Sequence, residues 1–199
     1  MRSIVEAGTG LDVRAVISNR PGAKGLEWAG SRGIETRIVD HAAHASREGF
    51  DAALAQAVDA YRPQLVVLAG FMRILGDGFI GRYPRRIVNI HPSLLPSFPG
   101  LHTHRRALEA GVKLHGATVH VVTAALDGGP IVVQGAVPVA AGDTEESLAA
   151  RVLEVEHRIY PQAVRWFVEG RIEFEAGGLV KVRGAQAGAE YLIAPGNLQ

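Results

Sequence analysis

Phe50-Asp51-Ala52-Ala53-Leu54-Ala55-Gln56-Ala57-Val58, followed by Pro63-Gln64-Leu65-Val66-Val67-Leu68, is the stretch whose reading decides the fold. Phe50, Ala53, Leu54, Ala57 and Val58 recur at helical spacing, and Pro63 stops the helix they predict. Leu65 to Leu68 is apolar at every position, the pattern of a strand covered on both sheet faces. Upstream, Val13 to Asn19 reads as a buried strand closed by Arg20-Pro21-Gly22. A helix through Leu26, Trp28 and Ala29 follows, then a strand over Thr36 to Asp40. Met1 to Ala7 has helical spacing and ends at Gly8. Strands alternating with helices imply parallel pairing by right-handed crossovers. The expected class is α/β: a doubly wound, mostly parallel sheet with helices on both faces.

Downstream the pattern changes. Arg86 to His91 reads as a strand, and a loop through Pro92, Pro96 and Pro99 leads to a helix around Arg106 to Ala110. Two β-rich runs, Ala117 to Val122 and Ile131 to Val139, precede a long helix from about Thr144 to Val168. That helix packs through Leu148, Val152, Val155, Ile159 and Val164, and Pro161 is expected to kink it or break it in two. Thr144, Ser147 and the pair Glu145-Glu146 form a capped, dipole-favoured start. Residues 183–199, rich in glycine and alanine, read as a tail.

Composition narrows the function. Lys and Arg total 21 against 20 Asp and Glu, a net charge of +1, which argues against a protein that wraps nucleic acid. No cysteine is present, so disulfides, thiolate zinc sites and a cysteine nucleophile are excluded together. The longest apolar run, Leu65 to Met72, is far short of the roughly twenty residues of a membrane-spanning helix. No signal peptide is recognisable. The expectation is a soluble cytoplasmic protein.

Asn89-Ile90-His91-Pro92-Ser93-Leu94-Leu95-Pro96 is the densest polar segment. On a strand, Asn89 and His91 project to the same face with Ile90 behind them, and Pro92 keeps His91 extended. Ligands of open α/β sheets collect beyond the carboxyl ends of strands. An amide and an imidazole there can stabilise one developing oxyanion, or simply fasten the following loop. Asp127, in Ala125-Leu126-Asp127-Gly128-Gly129-Pro130, reads either as part of a plain turn or as a carboxylate beside that imidazole. His102-x-His104 could suggest a metal pair, but no comparable spaced ligand set accompanies it, so no metal is expected. Phe71-Met72-Arg73 lines a pocket for a flat ligand or belongs to core and rim.

Together, Ala69-Gly70-Phe71-Met72-Arg73-Ile74-Leu75, Asn89 to Pro96, Pro99-Gly100-Leu101-His102-Thr103-His104, His115-Gly116-Ala117-Thr118-Val119-His120 and Leu126-Asp127-Gly128-Gly129-Pro130 closely resemble the glycinamide ribonucleotide formyltransferase family. The likeness runs from Met1 to about Arg171. It implies a Rossmann-like formyltransferase domain over 1–182, with a nucleotide-binding half about 1–85 and a folate and catalytic half about 86–182. It implies formyl transfer from 10-formyltetrahydrofolate, a co-substrate, to the amine of glycinamide ribonucleotide in purine synthesis, without a metal. By motif match Asn89, His91 and Asp127 correspond to the catalytic trio. Arg47, Met72, Arg73, Ile74, Leu75, Val122, Asn89 and Asp127 fall where the family contacts folate. Leu153, Glu154, Val155 and Glu156 fall where it contacts the ribonucleotide, Glu156 being the polar contact. The partners implied are these two small molecules, with neither nucleic acid nor membrane, in a monomer or homodimer.

One departure and three competitors go with the resemblance. Family members open with a strand and a Gly-x-Gly-Ser-Asn loop that binds phosphate, and this sequence starts just after that position. The expectation is a chain read from an internal methionine, lacking the first strand and binding the ribonucleotide poorly. Formyltetrahydrofolate hydrolase and methionyl-tRNA formyltransferase carry extra domains for which 199 residues leave no room. A non-catalytic folate-binding remnant is the alternative from another class.

Overall fold

Ser46 accepts a hydrogen bond from the Gly49 amide at 3.0 Å and so starts the helix that the Phe50–Val58 spacing predicts. In the computed structural model, which describes residues 1–8, 10–185 and 194, that helix is α3 (Arg47–Asp59). Before it come α1 (Arg2–Glu6), β1 (Val16–Ser18), α2 (Lys24–Ser31) and β2 (Thr36–Ile38). After it come β3 (Val66–Leu68), α4 (Asp77–Ile80), β4 (Ile87–His91), α5 (Thr103–Glu109), β5 (Leu114–Val121), β6 (Ile131–Pro138), α6 (Glu145–Val168), β7 (Ile172–Phe174) and β8 (Val180–Val182).

The α/β class holds, with helices on both faces. β1 and β2 pair in parallel as a two-stranded sheet, and β3-β4-β5-β6 form a four-stranded one. β3 and β4 are parallel, whereas β5 is antiparallel to both β4 and β6. On one face, Phe50, Leu54, Ala57 and Val58 of α3 pack with Leu75, Phe79 and Ile87. On the other, α6 covers Val88, Val119 and Val121 through Tyr160, Ala163 and Val164, and Ala117 and Val137 through Leu148 and Val152.

Two expectations are adjusted. Pro161 does not break the last long helix: α6 runs uninterrupted from Glu145 to Val168, and Pro161 is buried. One lost amide donor is outweighed by the apolar area this face covers. The structure also adds the β7–β8 hairpin, whose strands are too short to show a period in sequence. The expected tail over 183–199 lies mostly outside the described residues. Thr144 caps α6 as expected, in a reciprocal pair with Ser147. No helix among the described residues is long and apolar enough to cross a membrane.

Tyr160 ties α6 to the sheet by donating to the Leu68 carbonyl at 2.5 Å, with Val88's carbonyl 3.1 Å away. Between β5 and β6 the backbones approach so closely that a Cβ on Gly116 would stand 2.0 Å from the Gly135 carbonyl oxygen. Backbone cannot yield as a side chain does. Gly116→Ala is therefore expected to lower unfolding free energy by about 2–3 kcal/mol, the scale of overpacking a rigid site. Urea denaturation measures it, and an unchanged midpoint would contradict this packing.

Candidate active site at the carboxyl end of β4

The two-residue period of β4 divides its side chains between the faces. Val88 and Ile90 pack on the α6 side and Ile87 on the α3 side, so Asn89 and His91 share the α3 side with Ile87. β5 lies beside it with Asn89 opposite His120 and His91 opposite Thr118. Directly opposed residues project to one face. Four polar side chains thus stand together while Ala117, Val119 and Val121 go under α6.

Asn89 Nδ2 lies 3.3 Å from His120 Nε2, and His120 Nδ1 lies 3.2 Å from the Val121 carbonyl oxygen. A carbonyl can only accept, so His120 carries its proton on Nδ1 and takes the Asn89 amide proton on Nε2. Burial pushes the pKa of His120 below its ordinary value, against the opposing pull of the Val121 carbonyl and Asp127. In this neutral form, the 3.8 Å approach of His120 Nε2 to Asp127 Oδ1 is not an ion pair.

Asp127 arrives on the β5–β6 loop with a left-handed backbone, φ 50°. The loop presses so closely on β5 that a Cβ on Gly129 would meet the Val121 carbonyl oxygen at 1.8 Å. Glycine is the residue that fits there. Asp127 Oδ2 accepts the Gly100 amide at 2.8 Å and stands 3.5 Å from His91 Nδ1, with both side chains nine-tenths buried. His91 Nε2 stands 3.0 Å from the Phe98 carbonyl oxygen. Both ring nitrogens thus face oxygen atoms, one of a carboxylate and one of a carbonyl.

The proline-rich loop is pinned from beneath. The Thr118 hydroxyl donates to the Ser93 carbonyl at 2.7 Å and accepts the Leu95 amide at 3.0 Å. The Gln134 amide donates to the Leu95 carbonyl and to Thr118, each at 2.9 Å. The Leu95–Pro96 peptide is cis. Sequence reasoning assigned no role to Thr118, His120 or Gln134. The signal lay in the register, since each faces a site residue or its neighbour across the sheet.

The structure brings Asn89, His91 and Asp127, the residues expected to be catalytic, together from β4 and the β5–β6 loop. Of the folate group, Arg47 opens α3, the Arg73 guanidinium lies 5.2 Å over the Phe50 ring, and Leu75 is buried beside it. Met72 and Ile74 are exposed, and Val122 packs against the same cluster. This group therefore shares a sheet face with Asn89 and His91. An apolar cleft of about 290 Å³ between Ile80, Arg85, Val122 and Phe174 includes Val122 alone of these residues.

The residues expected to meet the ribonucleotide lie on α6, across the sheet. Leu153 and Glu154 are exposed, Val155 packs against Gly135, and Glu156 is half-buried one turn before Tyr160. Burial raises the pKa of Glu156, opposed by the Met1 ammonium.

His102 is exposed and left-handed, whereas His104 turns inward, with Nδ1 3.3 Å from Nε2 of buried His115. Among the described residues no three His, Cys, Asp or Glu side chains are grouped to hold a metal ion.

A family model described as Formyl transferase matches residues 2–164. Phosphoribosylglycinamide formyltransferase of Escherichia coli is 53% identical over 161 residues, which is 81% of this chain and 76% of that protein. The trifunctional purine biosynthetic protein adenosine-3 of Gallus gallus is 44% identical over 85% of this chain, which spans only 17% of that longer protein. The crystal structure of glycinamide ribonucleotide transformylase 1 from Symbiobacterium toebii is 49% identical, covers 90% of this chain and 88% of its own, and superposes with a TM-score of 0.85.

Burial of His115 beside His104 makes stability depend on pH. Burial, then the neighbouring His104 and His91, lowers His115 to about 4, and burial also lowers His104. A histidine whose folded pKa lies below its unfolded value stabilises the fold above the unfolded pKa. That contribution is lost as pH falls towards the folded pKa. Unfolding free energy should therefore drop between about pH 6.5 and 4, by up to about 1.4 kcal/mol per pH unit for His115 alone. Denaturation across that range should show a shallower drop in His115→Gln. An equal slope in the variant would contradict the assignment.

Proposed function

This chain belongs to the formyl transferase family, and on that premise we propose that it moves the formyl group of 10-formyltetrahydrofolate to the amine of glycinamide ribonucleotide. The observation that carries this reading is the meeting of Asn89, His91 and Asp127 at one strand end, with Asp127 Oδ2 3.5 Å from His91 Nδ1. The similarity to a purine biosynthetic protein supports a place for the reaction in purine synthesis. The near-balanced charge supports small-molecule partners rather than nucleic acid, and on the same proposal the chain works in the cytoplasm as a monomer or homodimer.

The step forms a bond between the amine nitrogen and the formyl carbon and breaks the bond from that carbon to the folate nitrogen. One proton leaves the amine and one reaches the departing nitrogen. The tetrahedral species between carries an oxyanion. Asn89 spends one amide hydrogen on His120 and retains a second for that oxyanion. His91 exchanges the Phe98 carbonyl for the oxyanion and stabilises it as an imidazolium, while Asp127 holds the ring and accepts the amine proton, through water. Folate meets the exposed Met72 and Ile74, with Arg47, Arg73, Leu75 and Val122 around it. Leu153, Glu154, Val155 and Glu156 serve the ribonucleotide from α6. No step requires a metal.

Transfer is followed as tetrahydrofolate release with formylated ribonucleotide as product. His91→Ala and Asp127→Asn should each lower kcat by about two powers of ten or more, the scale of acid–base and oxyanion assistance. Asp127→Asn keeps an acceptor for the Gly100 amide, so its loss reads charge rather than loop structure. Near-normal turnover in either variant would remove this mechanism. Formate release without ribonucleotide would make the chain a hydrolase instead. EDTA should leave the rate unchanged, and loss of activity restored by zinc would overturn the metal-free reading.

A further inference from the structure

Asp51 is a carboxylate buried among the apolar residues of α3, flanked by Phe50 and Leu54. Its Oδ2 accepts the Gly76 amide at 2.7 Å, while Oδ1 is buried without a hydrogen-bond partner among the described residues. An unpaired buried acceptor is unfavourable, so stability alone does not account for this carboxylate. Arg47 stands one turn earlier on the helix and crowds the same glycine. A Cβ on Gly76 would lie 2.8 Å from Asp51 Oδ2 and 3.4 Å from Arg47 Nη2.

The 72–76 segment is thereby clamped on α3 at successive points: Arg73 over Phe50, Leu75 in the cluster, and Gly76 on Asp51. Between these anchors Met72 and Ile74 stand 74% and 56% exposed, presented to solvent on a fixed backbone. We propose that Asp51 is a positioning residue for the formyl donor: through Gly76 it sets the height of the 72–76 segment against α3, and with it the surface that receives folate. This rests on the reading that the segment meets folate. Asp51 touches neither substrate and acts through its neighbours.

The test is steady-state kinetics of Asp51→Ala, Asp51→Asn, Gly76→Ala and the double variant Asp51→Ala/Gly76→Ala. Asp51→Ala should raise KM for 10-formyltetrahydrofolate about tenfold, the equivalent of one net hydrogen bond, with kcat within about twofold and KM for the ribonucleotide unchanged. Asp51→Asn keeps an oxygen for the Gly76 amide and should restore most of the affinity. Gly76→Ala, whose methyl collides with Asp51, should raise the same KM alone and add little in the Asp51→Ala background. A fall in kcat with both KM values raised, an Asn variant as impaired as Ala, or additive effects in the double variant would each overturn the proposal. If Asp51→Ala does not fold, Asp51→Asn and Gly76→Ala decide by the same KM-against-kcat split. Absence of formyl transfer by the unmodified chain would overturn the reading beneath it, and the proposal with it.

Discussion

The antiparallel register of β4 against β5 places Asn89 opposite His120 and His91 opposite Thr118, and the chemistry of the molecule depends on that alignment. A slip of one residue would turn Val119 and Val121 towards the polar side and drive His120 and Thr118 under α6. There the apolar helix face offers neither imidazole nor hydroxyl a partner, at the cost of a buried polar group for each. The same alternation therefore builds the core and the site. The core fixes the register, and the register fixes which donors face outward.

On this rigid base the site is completed by loops in uncommon conformations. Phe98, His102 and Asp127 all have left-handed backbones. Such conformations cost about 1–3 kcal/mol each and persist where surrounding contacts over-determine them. Those contacts are visible: Thr118 and Gln134 hold the proline-rich loop from the sheet, and Asp127 holds Gly100 from across the site. Phe98's conformation aims its carbonyl at His91 Nε2, giving the ring an acceptor.

Much of this was legible in the sequence, for local reasons. The spacing of Phe50 to Val58, the apolar run before Gly70 and the alternation through Asn89, Ile90 and His91 each report one element's surroundings, and the elements followed. Formyl-transfer function was legible only through the resemblance, because composition excludes classes of protein without choosing a substrate. His120, Thr118 and Gln134 escaped because their roles come from cross-strand pairing, which no local period encodes. Asp51 carries no local signal, since the helical spacing of its neighbours says nothing of a buried polar position between them. It is buried because Gly76, twenty-five positions away, folds back onto it. Pro161 misled in the other direction, since burial against the sheet holds α6 together through it.

The account turns on how Asn89 is oriented, and that orientation is recorded in the tautomer of His120. If His120 carries its proton on Nδ1, its Nε2 accepts from Asn89 and leaves the second amide hydrogen facing the site. Nitrogen-15 NMR of the imidazole rings at neutral pH reads this directly, with His120→Gln assigning the resonances. A protonated Nδ1 and an unprotonated Nε2 are predicted for His120. A protonated Nε2 would mean that Asn89 turns its carbonyl to His120 or that His120 is charged against Asp127, and either would contradict the oxyanion-binding geometry.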